Sequence, residues 1–327
     1  MILFISLSSC RQKQQEAKQP SWPAEVKTVH ITSTMDGSHQ PALFWTPCDC
    51  PPGATEPMPL LVALHSWSFG YEQPNIDYFT ECKKRGWIFI HPHFRGPNGT
   101  SDACGSPLAV QDILDAVSYA KSQTNVDPER IYLTGGSGGG YASLLMAGKS
   151  FQIWAGVSSW VPITDLAAWH KESSNREEKY KKYALDMEKV CGGAPGVSSD
   201  IDEQYKNRSA LTYLTNAKGL AIDINAGIHD GHTGAVPISH TLRAFNLLAE
   251  VNGFPDKKLT DEQIKTFVEK EMVPAELSSE KVNDDSYLKQ VLFRRTAGPV
   301  RVTIFEGGHD TLMGTAIAWL EKQRKGK

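Results

Sequence analysis

Apolar and polar positions alternate in two early runs, KTVHITST (27–34) and QPALFWTP (40–47), with Asp36-Gly37 between them. Period-two alternation around a turn dipeptide predicts an antiparallel hairpin. The pattern then changes. PLLVALH (59–65), WIFIHP (87–92), RIYLTG (130–135) and IWAGVSS (153–159) are short continuous apolar runs, and LAIDINAG (220–227) and VRVTIFEG (300–307) resemble them. Runs of this kind suit strands buried on both faces. Segments of helical period separate them, near 75–85, 107–123, 139–149, 236–252 and 311–325. Strands alternating with helices predict an α/β fold, a mainly parallel doubly wound sheet with the hairpin at one edge. Two stretches interrupt the alternation. Residues 164–214 and 255–297 are polar and predict helical insertions, which leaves one catalytic-size domain over 25–327.

Composition narrows this picture only slightly. A chain of 327 residues, 40% hydrophobic, is long enough to bury its own core without disulfide or metal staples. The formal net charge is -3, and no block of Lys and Arg forms a nucleic-acid patch. Met1 to Leu7 is apolar but too short to span a bilayer, which takes roughly 20 residues. Leu7-Ser8-Ser9-Cys10 resembles a bacterial lipobox, although no basic residue precedes the apolar run. That resemblance implies export, a lipid anchor at Cys10 and a place in the bacterial cell envelope. Residues 11–24 then read as a polar tether. Export makes disulfides permissible, but the pairing among Cys48, Cys50, Cys82, Cys104 and Cys191 stays open.

The chemistry is concentrated at Gly135-Gly136-Ser137-Gly138-Gly139, which follows an expected strand and opens an expected helix. In that setting G-x-S-x-G describes a nucleophile elbow, with Ser137 as nucleophile and the Gly138 N–H as one oxyanion donor. A phosphate-binding loop would need Lys after its glycines, and Tyr141-Ala142 stand there instead. A serine hydroxyl needs a base. Of ten histidines, His309 alone follows the last apolar strand, on the C-terminal sheet edge where Ser137 also lies. Asp230, after the strand before last, completes the order Ser, Asp, His and orients the imidazole. Asp165, Asp223 and Asp310 are the weaker alternatives. The loop His65-Ser66-Trp67 after the third strand supplies the second oxyanion donor, the Trp67 N–H.

From Arg95-Gly96 and Asp112 through Asp127-Pro128-Glu129-Arg130-Ile131 and Ser137-Gly138-Gly139-Gly140-Tyr141 to Gly308-His309, the chain resembles the prolyl-oligopeptidase-like branch of the α/β hydrolases. The resemblance covers about residues 25–327. It implies the α/β-hydrolase fold, an acyl-enzyme mechanism at Ser137, and no metal or organic cofactor. Two departures are visible. Peptidases of that branch often carry a bulky residue where Gly138 stands, and Gly231-His232-Thr233-Gly234-Ala235 intervenes between Asp230 and Val236-Pro237. Propeller-free members are commonly esterases. The expectation is therefore a carboxylic-ester hydrolase acting on acetylated or feruloylated carbohydrate, with a small peptidase as the alternative and a non-catalytic binding protein as a remote one. The expected partner is a small-molecule or oligosaccharide ester, held by His65, Ser66, Trp160, Arg294 and Arg295. Trp160, Trp169, Tyr180, Tyr183 and Tyr205, in or beside the first insertion, either stack on substrate rings or form that insertion's own core.

Overall fold

The structure, a computed structural model, describes residues 21–49, 51–53 and 56–326. Cys10 and Cys50 lie outside these residues. The hairpin forms as β1 (Lys27–Thr32) and β2 (His39–Trp45), paired antiparallel. After it come β3 (Met58–Leu64), α1 (Ile76–Arg85), β4 (Ile88–Pro92), α2 (Pro107–Gln123), β5 (Val126–Gly136), α3 (Gly138–Lys149) and β6 (Gly156–Trp160). Then α4 (Leu166–Ser174), α5 (Glu178–Cys191) and α6 (Ser199–Arg208) precede β7 (Ile222–Gly227). The chain closes with α7 (Ser239–Val251), α8 (Asp261–Lys270), β8 (Val291–Ala297), β9 (Val300–Phe305) and α9 (Met313–Leu320).

Among the described residues one nine-stranded sheet forms, in the order β1-β2-β4-β3-β5-β6-β7-β9-β8. Strands β4, β3, β5, β6, β7 and β9 run parallel, while β1, β2 and β8 extend the edges antiparallel. Leu60 to Leu64 are wholly buried, as a central parallel strand covered on both faces requires. The helices are positioned by ordinary local chemistry. Ser106 caps α2 by accepting the Ala109 N–H, with Pro107 in the first turn, where its missing donor costs nothing. Ala109, Ile113, Ala116 and Ala120 line its buried face at helical spacing. Gly86 ends α1 in the left-handed region, with φ 66°. From Gly138 to Gly148 every residue of α3 is buried, so this helix lies inside the molecule directly behind the elbow.

Two expectations about elements need correction. The stretch 255–297 is not helical throughout, because Val291–Ala297 forms the edge strand β8, whose buried Val291, Phe293 and Ala297 are separated by more exposed Leu292, Arg294, Arg295 and Thr296, an imperfect alternation masked by its polar surroundings. The last helix is also shorter than 311–325, ending at Leu320. The four described cysteines, Cys48, Cys82, Cys104 and Cys191, are free thiols. No helix among the described residues is long and apolar enough to cross a membrane.

Candidate active site

Strand β5 ends at Gly136 and α3 begins at Gly138, leaving Ser137 alone on the turn with φ 59° and ψ -119°. A non-glycine residue in such backbone is strained and persists only where its surroundings hold it. Here they do. The Ser137 N–H donates to the Trp160 carbonyl at 2.9 Å, and the Tyr141 N–H returns to the Ser137 carbonyl at 2.8 Å. A side chain on Gly135 would meet the backbone of Gly139 at 2.5 Å, so the tight turn requires glycine there. The Gly138 N–H sits in the first turn of α3, where no helical carbonyl reaches it, at the positive end of the helix.

The loop after β3 comes against the elbow. A Cβ on Gly138 would stand 2.3 Å from the Trp67 nitrogen and 2.6 Å from its Cα. The Gly138 and Trp67 amides are thus neighbours beside Ser137, as two donors to one developing oxyanion must be. Among the described residues the Trp67 N–H donates to no protein acceptor. The neighbouring Ser66 N–H is taken by Gln73 Oε1 at 2.6 Å, and the Ser66 hydroxyl donates to the Gly136 carbonyl at 3.2 Å.

On the other side, His309 Nδ1 lies 2.8 Å from Asp230 Oδ2. The Asp230 carboxylate is 2% exposed, and its other oxygen accepts the N–H groups of Gly231 at 2.9 Å and Val236 at 3.3 Å. This pairing fixes which ring nitrogen faces the acid and leaves Nε2 for the nucleophile's proton. The competing carboxylates are otherwise engaged. Asp165 caps α4, Asp223 receives Arg301, and Asp310 receives Lys289 and the Gly308 N–H.

Several residues expected to touch substrate do something else. Trp160 is wholly buried on β6, its indole N–H donating to Ser158 Oγ at 3.0 Å, so it supports Ser137 through its carbonyl and not through its ring. His65 is also buried, stacked on Phe94 at 3.9 Å between centroids, with Nε2 2.7 Å from the His93 carbonyl. Its Nδ1 also lies 3.0 Å from the Ser66 carbonyl, and burial pushes the imidazole pKa down to about 4, so the ring ties two segments of backbone together and shapes the loop. Arg294 and Arg295 project from the edge strand β8. Arg294 pairs with Asp284 at 2.7 Å and donates to Thr303 at 3.0 Å, while Arg295 grips Glu280. Among the described residues Arg294 Nη2 is buried without a hydrogen-bond partner, and every hydrogen bond of the two guanidinium groups runs to the insertion or the sheet edge, none to the triad. Sequence reasoning could not separate these outcomes, since an arginine near a strand has the same local pattern either way. Within the first insertion Trp169, Tyr180 and Tyr205 are buried and Tyr183 packs half-buried against Trp169 at 5.0 Å between centroids, so these rings form its core, while Trp160 belongs to β6 beside it.

A nucleophile on a strained strand-to-helix turn, an acid and a base after the neighbouring parallel strands β7 and β9, and two adjacent amides beside the nucleophile define an α/β hydrolase. The chain matches the prolyl oligopeptidase family over residues 74–266, and it belongs to that family. Ser137 and Asp230 fall inside the matched stretch; Trp67 and His309 lie outside it. Among solved structures it is similar to the acylaminoacyl peptidase of Pyrococcus horikoshii, with a TM-score of 0.60 and 16% identity over 95% of this chain and 43% of that one. Oligopeptidase B from Leishmania major matches at a TM-score of 0.56 and 15% identity, over 90% of this chain and 35% of the other. A curated relative, the bifunctional acetylxylan esterase/xylanase XynS20E of Neocallimastix patriciarum, is 24% identical over 153 residues, 42% of this chain and 22% of the relative. The chain therefore spans about a fifth of that relative and under half of those solved structures.

Proposed function

We propose that this protein hydrolyses carboxylic esters through an acyl-enzyme on Ser137, and that its substrates are acylated carbohydrates. The observation that carries the chemistry is the His309–Asp230 pair at 2.8 Å on the same sheet edge as a serine held at φ 59° beside two neighbouring amides. His309 Nε2 takes the Ser137 proton as the hydroxyl oxygen attacks the ester carbonyl. The carbonyl oxygen becomes an oxyanion facing the Gly138 and Trp67 amides. As the tetrahedral adduct collapses, His309 returns the proton to the leaving alcohol. Water then repeats the sequence and releases the acid. The similarity to an acetylxylan esterase supports an acyl-carbohydrate substrate. The peptidase neighbours support a second reading, cleavage of small peptides by the same residues.

Hydrolysis of p-nitrophenyl acetate and acetylated or feruloylated oligosaccharides, against peptide anilides, separates these readings. Ester turnover that disappears in Ser137→Ala, without anilide cleavage, is the expected result; anilide cleavage at comparable kcat/KM would favour the peptidase. The lipobox-like Leu7 to Cys10 supports an envelope location with a lipid anchor at Cys10. Incorporation of labelled fatty acid that is abolished by Cys10→Ser tests it.

A further inference from the structure

The loop between Asp230 and Val236 has no strand or helix of its own. It nevertheless lies directly over the reacting groups. A Cβ on Gly234 would stand 2.1 Å from Asp230 Oδ1 and 2.5 Å from His309 Cβ. Four of the loop's carbonyls are taken by the first helical insertion. Arg176, in the turn joining α4 to α5, donates Nη1 to the Gly234 carbonyl at 2.9 Å and Nη2 to the His232 carbonyl at 3.3 Å. The Tyr180 hydroxyl donates to the Thr233 carbonyl at 3.3 Å, and the Trp169 indole N–H to the Ala235 carbonyl at 3.0 Å. The Arg176 guanidinium itself rests 3.8 Å above the Tyr180 ring, which orients its planar fork. Four consecutive carbonyls are therefore held on the segment that carries the Val236 N–H to the acid.

We propose that Arg176 is a positioning residue for the catalytic acid. By fixing the carbonyls of His232 and Gly234 it keeps the loop closed over Asp230, so that the carboxylate stays aligned with His309. The insertion then acts on the chemistry and not only on the choice of substrate. The effect reaches substrate through Asp230 and His309, since Arg176 spends its fork on the loop. A misplacement of about 1 Å in a reacting array costs up to about 100-fold in rate, so a loosened acid loop should cost about 10- to 100-fold.

This inference rests on the triad reading, and the experiment separates the two. The rate of Ser137 labelling by a small fluorophosphonate needs the nucleophile and base but no cap contact to the alcohol. In Arg176→Ala, labelling and kcat for p-nitrophenyl acetate should fall together by about 10- to 100-fold, with KM within about twofold. Arg176→Lys, able to reach one carbonyl at a time, should recover part of the loss, and guanidinium ion at sub-denaturing concentration should partly rescue the alanine variant. If Arg176→Ala melts abnormally, Tyr180→Phe removes one of the four donors and carries the same test at smaller size. A folded variant labelled at the wild-type rate, or one whose KM alone rises, would overturn the proposal. A wild-type protein not labelled at Ser137 would instead overturn the triad reading.

Discussion

Replacement of Gly138 by alanine tests the oxyanion site at its narrowest point. The new methyl would lie 2.3 Å from the Trp67 nitrogen, 2.6 Å from its Cα and 2.9 Å from the Ser66 carbonyl carbon. Ordinary contact begins near 3.4 Å, so the two backbones must part by about 1 Å. Neither moves cheaply. Gly138 opens the buried helix α3, and Trp67 is anchored by its carbonyl to the Asn98 N–H at 2.8 Å and by its ring edge-on to Trp169 at 4.8 Å. Overpacking of this kind costs about 1–3 kcal/mol of stability. Separating the donors should cost more in catalysis, because loss of one oxyanion donor removes about 2.7–4 kcal/mol of transition-state stabilisation. The expected result is a fall in kcat of about 100-fold with KM nearly unchanged, since the interaction is made only in the transition state. Steady-state hydrolysis of p-nitrophenyl acetate, with thermal melting as a control, measures it. A melting point lowered by a few degrees beside a kcat within threefold of wild type would refute the assignment of Trp67 as second donor.

Arg294→Ala should lower stability at pH 7 by about 1–3 kcal/mol, the worth of a charge-assisted hydrogen bond, while leaving kcat/KM for oligosaccharide esters unchanged; raised KM would return Arg294 to the substrate site. Burial opposes ionisation of Asp284, but Ser286 and Arg294 outweigh it and hold the carboxyl at about 2, below its ordinary 3.8, so this stabilisation is full above 3.8 and fades as pH falls towards 2. His229 lies between Glu271 at 2.6 Å and Glu306 at 2.8 Å, with His232 3.6 Å from Glu271, and the hydrogen bonds to Glu271 and then Glu306 raise it above its ordinary 6.5. The wild type's advantage over His229→Gln in chemical denaturation should be full at pH values below 6.5 and shrink as pH rises through the raised value; a gap that grows with pH would contradict the pairing. Gly314, on α9 with no positive φ and open space within 4 Å of where a methyl would stand, should accept alanine with a gain of about 0.4–1 kcal/mol in chemical denaturation and no change in activity.

Much of this protein can be read along the chain because its determinants are local. Continuous apolar runs at 59–65 and 130–135 require strands covered on both faces, and G-x-S-x-G between a strand and a helix admits few backbone paths. That Ser137, Asp230 and His309 gather on one edge follows from parallel topology, which places the carboxyl ends of β5, β7 and β9 there. Other outcomes depend on packing between distant segments. Arg294 and Arg295 carry no local mark separating a substrate contact from a pair with Asp284 or Glu280. Trp160 could be read as a cap ring until its strand proved central and wholly buried. His170 on α4 and His240 on α7 are both buried and paired, with Glu188 and Glu172, by packing between separate helices that no local pattern records. Nothing around Arg176 announces that its fork meets the carbonyls of a loop more than fifty residues later. Strand and elbow chemistry is written in neighbouring residues, whereas the partner of a long polar side chain is decided only when the chain brings distant backbone within hydrogen-bond reach.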